Sequence, residues 1–162
     1  MTEAPFPADF ETTEIAELVR PALAARGRFR WRLRGNSMAP TLPADCELEV
    51  VPLVGRPSLG ALIVFSAGDM LVAHRLVRRP AGCFITQGDG ASLPDPPLAP
   101  KQALGLVTAA YRDGRRCWPG RGERWRAWLW IGRHHALRAG RLLRRALLRL
   151  ISLLSLQRRR ER

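Results

Sequence analysis

Lysine is almost missing from this chain. Of 27 basic residues only Lys101 is a lysine, and every other one is arginine. Chemistry that needs an ammonium as base must therefore use Lys101. It follows "PLAP", with no apolar run around it to strip its water. Cysteine is sparse too. Cys46, Cys83 and Cys117 are odd in number and match no zinc-ligand spacing, which excludes a disulfide scaffold and fits a reducing compartment. Nowhere do 18 apolar residues run uninterrupted, so no spanning helix is expected. Glu3, Asp9, Glu11, Glu14 and Glu17 fill the start of the chain, where a secretory signal would be cationic, so no such signal is read.

What is present is unevenly placed. The chain has 162 residues and a formal charge of +13. Residues 121–162 hold 13 arginines against Glu123 and Glu161, a net +11, which leaves +2 for residues 1–120. A nearly neutral body thus precedes a polycationic segment whose partner should be anionic. A hydrophobic share of 46% is enough for one globular core.

Periodicity divides the chain further. "ETTEIAELVRPALAARG" (11–27) reads as a helix capped by Thr12 or Thr13, with Ile15, Leu18, Val19 and Leu23 at helical spacing. Pro21 is expected to break or kink it, and Gly27 to end it. "RFRWRLRG" (28–35) alternates apolar residues with arginine, the pattern of a half-buried strand. Apolar runs at 47–53, 61–66, 70–79, 83–87 and 103–112, parted by Gly, Pro and Asp, predict a mainly β body. The Pro-rich stretch 88–100 reads as an ordered loop. Beyond "WPGRG", Leu142, Leu143, Leu147, Leu150 and Leu154 fall on one side of a helical wheel and arginines on the other, after Trp125, Trp128 and Trp130. That is the pattern of a basic amphipathic helix at a membrane interface.

One short stretch carries possible chemistry. In "RGNSMAPTL" (34–42) a serine sits in a bend preset by glycine and proline. A serine hydroxyl becomes a nucleophile only when a neighbour takes its proton. His134 and His135 lie in the arginine-rich segment, which leaves His74, in "MLVAHRLV", as the candidate imidazole base. "TQGDGASLPD" offers Asp89 and Asp95 as a carboxylate to fix its tautomer. Taken singly, each has a plainer explanation: a histidine on an apolar strand face can be a core residue, and aspartates beside Gly and Pro are ordinary turn formers.

Together, "GNSMAPTL", "LGALIVFS", "VAHRLV" and "FITQGDGASLPD", in that order over roughly residues 30–112, resemble the type I signal peptidase superfamily. The likeness is to the archaeal and endoplasmic-reticulum branch, in which histidine replaces the bacterial lysine. Self-cleaving repressors of the DNA-damage response share that fold. The resemblance implies a signal-peptidase/repressor-type β-fold, with Ser37 as nucleophile, His74 as general base and Asp95 as the catalytic aspartate. It implies Arg75 and Asp89 as a structural pair, Met38 and Pro40 at the substrate cleft, and an oxyanion hole from the Ser37 N–H with Asn36. The chain departs from the family in three places. No membrane anchor precedes the serine, Gly35 stands where many members have serine, and Gly90 stands where asparagine is usual.

The expectation is therefore a serine endopeptidase that cuts an extended protein segment through an acyl-enzyme, with no metal or cofactor. Its organisation is a helical segment at 1–27, a β peptidase domain at 28–118 and a basic helical tail at 119–162. The expected partners are a peptide or protein substrate and an anionic membrane surface held by 121–162. The expected location is cytoplasmic, peripheral on the inner face of the membrane. Nucleic acid is disfavoured, because the tail interleaves arginine with leucine rather than with stacking aromatics. The alternative is a noncatalytic membrane- or nucleic-acid-binding module on a peptidase-like fold. A self-cleaving regulator is weaker still, since only 36 residues precede Ser37 and no helix-turn-helix is read among them.

Overall fold

The computed structural model describes residues 14–120, then 123, 125, 127–136, 139, 140, 142–144 and 148. The helix caps assigned to Thr12 and Thr13, and the leucines at 147, 150 and 154, lie outside them.

Helix α1 (Glu14–Arg26) continues past Pro21 without a break. Pro21 is exposed, and Ala16 on one side of it and Leu23 on the other are both buried, so tertiary burial holds both halves in the helix. Leu18, read as part of the buried stripe, is exposed. Gly27 closes the helix as expected. At φ +68° it occupies the left-handed region and donates its N–H to Leu23 O at 2.9 Å.

The body is mainly β. Strands β1 (Phe29–Arg32), β2 (Glu47–Pro52), β3 (Leu62–Ala67), β4 (Met70–Arg78), β5 (Ile85–Gln87), β6 (Ala103–Arg112) and β7 (Arg115–Trp118) form one antiparallel sheet. Its order is β1-β2-β6-β3-β4-β5, and β7 pairs with β6. Six strands fall within the apolar runs of the sequence. The seventh does not, because "RRCW" has no apolar alternation. It follows Asp113-Gly114, both at positive φ, the hairpin dipeptide that folds β7 back onto β6.

The side chains of β3 alternate between two buried clusters. Leu62 and Val64 join one cluster with Met38, Leu42, Leu48 and Val50, whereas Ile63 and Phe65 join another with Leu76, Phe84 and Leu98. The sheet is thus covered on both faces, and each fully buried aliphatic side chain contributes about 1.5–3 kcal/mol. Gly105 on β6 lets backbone and helix close in. A Cβ there would sit 2.5 Å from Val51 O and 3.2 Å from Leu23 of α1.

The segment read as a separate tail is not separate at its start. Residues 127–136 are helical, and Ile131 and His134 are buried. A Cβ on Gly60 would lie 3.1 Å from Ala127 and 3.6 Å from Ile131, so the helix lies against the turn before β3. Further on, Leu142, Leu143 and Leu148 are exposed. Among the described residues no helix is long and apolar enough to cross a membrane.

Candidate active site

Ser37 stands on an exposed turn between β1 and β2. The turn is closed by Ala39 N–H to Asn36 O at 3.0 Å and Leu42 N–H to Met38 O at 2.9 Å. Its base is closed by Leu33 N–H to Cys46 O at 2.8 Å. Met38 and Leu42 anchor it in the core, both wholly enclosed. That corrects the expectation for Met38: its side chain fills the core rather than walling a cleft. Pro40 is exposed, and neither residue lines the clefts described below.

His74 is in the middle of β4, paired in register with Ile63 of β3, and its ring meets Phe65 edge-on at 6.0 Å between centroids. Its Nδ1 lies 2.7 Å from Asp95 Oδ2. The same oxygen accepts the hydroxyl of the buried Thr86 at 2.7 Å. Asp95 is held by its own N–H, which donates to Thr86 O at 2.8 Å, so the Pro-rich loop is ordered as expected. A carboxylate can only accept, so Nδ1 donates this hydrogen bond. The other ring nitrogen, Nε2, is buried and has no hydrogen-bond partner among the described residues.

The serine turn and the histidine meet at Gly88. A Cβ added there would lie 2.5 Å from Ser37 O and 3.1 Å from His74 Nε2. Only glycine leaves room for the Ser37 carbonyl and the imidazole at this point. Gly90 follows the same wall. It donates its N–H to Ser37 O at 2.8 Å, and a Cβ on it would face Asn36 O and Ala39 O. The structure thus brings the Ser37 carbonyl and the His74 ring to the same side of Gly88, without a hydrogen bond between Ser37 Oγ and Nε2. Among the described residues no hydrogen bond occupies the Ser37 N–H. The carbonyl of Asn36 is used within the turn.

Arg75, the next residue on β4, is completely buried. Its Nε and Nη2 donate to Asp89 Oδ1 and Oδ2 at 2.9 and 2.7 Å, Nη1 donates to Gly60 O at 2.9 Å, and Nη2 also reaches Glu123 Oε1 at 3.2 Å. Burial works against its charge, but the hydrogen bonds and charge of Asp89, and then of Glu123, outweigh it and push the guanidinium above arginine's ordinary range. Thr41, at the end of the serine turn, donates its hydroxyl to Asp89 Oδ2. Arg75 and Asp89 therefore form a pair, as the resemblance implied.

Two clefts flank β4 and share Val72. One, of about 310 Å³, is lined by Ser37, Trp31, Leu33, Leu71 and Val72. The other, of about 350 Å³, holds His74 and Asp95 with Phe65, Val72, Pro96 and Leu98. Lys101 lies exposed in the 3-10 turn Pro100–Gln102, and lines neither. Among the described residues no three His, Cys, Asp or Glu side chains converge as a metal site.

Sequence reasoning missed Thr41, Thr86, Gly88 and Glu123. "ITQGDG" held Thr86 and Gly88 within reach of the aspartates, but a buried threonine hydroxyl and a steric glycine have no signature of their own. Glu123 lies 48 residues from Arg75, and nothing in the spacing links them. Comparison with protein-family models and with curated proteins finds no match.

Proposed function

We propose that this protein is a serine endopeptidase of the signal-peptidase type, with Ser37 as nucleophile, His74 as general base and Asp95 as the residue that orients the base. The observation that carries this reading is the buried Nε2 of His74, without a hydrogen-bond partner among the described residues, whose other nitrogen is fixed by Asp95 and which lies beside the serine turn at Gly88. A buried polar atom without a partner is uncommon and costly, and a general base awaiting a proton is a specific reason for one. In this reading Ser37 Oγ attacks the scissile carbonyl carbon and its proton passes to Nε2. The C–N bond then breaks, the amine leaves with that proton, and water hydrolyses the acyl-enzyme by the same route. The Ser37 N–H is available to the oxyanion. A substrate strand lying along β4 would place side chains in both clefts.

Anionic lipid is the second partner in this proposal, placing the enzyme peripherally on the inner face of the membrane. Trp125 and Trp128 are exposed on the C-terminal segment, and residues 121–162 carry a net +11. Aromatic side chains with arginines suit a headgroup layer.

The test is proteolysis of a diverse peptide library read by mass spectrometry. Cleavage by the full chain that disappears in both Ser37→Ala and His74→Ala supports the assignment. Cleavage that survives either substitution, or none by the unmutated protein, refutes it.

A further inference from the structure

The segment Gln87–Gly88–Asp89 packs against both the Ser37 turn and the His74 ring, and it is held by the C-terminal helix. Arg133 donates from Nη1 to Asp89 O at 3.0 Å. His134 Nδ1 lies 2.6 Å from Gln87 Oε1, and Gln87 Nε2 in turn donates to Ala91 O at 2.8 Å. A third tie comes through Arg75, whose Nη2 is shared between Asp89 Oδ2 at 2.7 Å and Glu123 Oε1 at 3.2 Å. Each residue of the segment is therefore constrained. Gln87 and Asp89 are bonded to the helix directly or through one guanidinium, and at Gly88 between them there is no room for a side chain beside Ser37 O and His74 Nε2.

The helix has its own purchase on the body. Ile131 is buried, Ala127 and Ile131 close over Gly60, and Gly60 O accepts from Arg75. The guanidinium of Arg133 lies over the Trp130 ring at 4.9 Å, which holds it in place for its bond to Asp89 O. Sheet pairing alone does not fix the segment. β5 ends at Gln87, where Gln87 pairs with Arg75, and the ladder stops before Gly88.

We propose that the helix is a positioning element for the site, with Arg133 and Glu123 as positioning residues. Arg133 fixes the main chain at Asp89, and Glu123 fixes the second donor nitrogen of Arg75. Together they set where Gly88 stands beside the Ser37 turn and His74 Nε2. The geometric claim stands on the distances above, and its kinetic consequence rests on the peptidase reading. An error of about 1 Å in the placement of reacting groups costs up to about a hundredfold in rate, so a partial loosening is felt in turnover before it is felt in folding.

The experiment uses the full chain with Arg133→Ala, Arg133→Lys and Glu123→Gln. The first readout is independent of catalysis: ¹⁵N NMR of the His74 ring nitrogens and the Gly88 amide, with thermal melts alongside. Arg133→Ala and Glu123→Gln should move both sets of signals while the fold persists, and Arg133→Lys should restore most of the Arg133 effect. The second readout is cleavage of a peptide that the unmutated protein cuts, for which kcat should fall about tenfold in Arg133→Ala with KM little changed. Unmoved His74 and Gly88 signals in both variants would overturn the positioning role, whatever the activity. Moved signals in a protein that cuts no peptide would uphold the geometry and sink the peptidase reading alone. Moved signals with unchanged kcat would overturn the kinetic role.

Discussion

Gly90 donates its N–H to the carbonyl oxygen of Ser37 at 2.8 Å. This bond joins the Ser37 turn to the loop that carries Asp89, two segments more than fifty residues apart in sequence. Thr41 donates to the Asp89 carboxylate that Arg75 also grips, so the serine turn is tied to that loop twice, by main chain and by side chain, and through Asp89 to β4. The predictions below follow from those ties.

Gly88→Ala should damage the site more than Gly90→Ala. At position 88 the new methyl would lie 2.5 Å from a backbone oxygen that cannot swing aside, whereas at 90 its nearest neighbour is 3.1 Å away. Overpacking of this kind costs about 1–3 kcal/mol. Urea titrations should rank the two variants in that order, and cleavage should be lost at 88.

Asp95 and Asp89 should separate into different phenotypes. Asp95→Asn puts an amide NH2 donor beside His74 Nδ1 that can favour the other tautomer, so turnover should collapse with little change in melting temperature. Asp89→Ala leaves a wholly buried arginine without its two-point partner, and stripping one member from a buried ion pair costs about 3–5 kcal/mol. Melts and kinetics on both proteins check this, and exchanged phenotypes would mean exchanged roles.

Alkaline pH should weaken the fold through Cys46. Burial, and then the neighbouring Cys117, push its thiol up from 9.0 to about 11. Above 9.0 an unfolded thiol gives up its proton, while the folded one keeps it until about 11. The folded state then binds more protons, so the contribution is complete below the lower value and is lost as pH rises through the upper one. Denaturation midpoints compared on either side of that window should fall further in the unmutated protein than in Cys46→Val.

Vesicle binding should depend on the exposed tryptophans. Cutting the chain after Gly120 would also remove Glu123, Arg133 and His134 from the body, so Trp125→Ser with Trp128→Ser is the cleaner variant. The two side chains are 66% and 64% exposed. Co-sedimentation with anionic vesicles should be weakened by salt, since each arginine near the surface adds about 1 kcal/mol, and should fall in the double variant. Equal binding to neutral vesicles would reject anionic lipid as the partner.

Much of this arrangement was legible in the residues. β1 shows because Phe29 and Trp31 alternate with arginines on a half-solvated edge, and Ser37, His74 and Asp95 stand out as a nucleophile, an imidazole and a carboxylate on Gly- or Pro-flanked segments. What stayed hidden was decided by distant partners. Pro21 sits in a continuous helix because Ala16 and Leu23 are buried on either side of it. Met38 is drawn inward by a core that its local motif does not describe. Residues 127–136 read as helical in composition, but which body surface this helix covers depends on Gly60 and Gln87, and no periodicity reports that.

His74 and Arg75 are consecutive residues on opposite faces of β4, standing against Ile63 and Leu62 of β3. A strand that paired one residue out of step would keep nearly all its ladder hydrogen bonds, yet it would swap these two side chains between faces. An arginine would then arrive at Asp95, and an imidazole would be left to neutralise Asp89 and Glu123. Neither place tolerates the other's occupant: the first lacks the second carboxylate, and the second is too deep for a ring that cannot reach Gly60 O as well. Two adjacent side chains of different charge and shape thus work as a checksum on the alignment of the sheet.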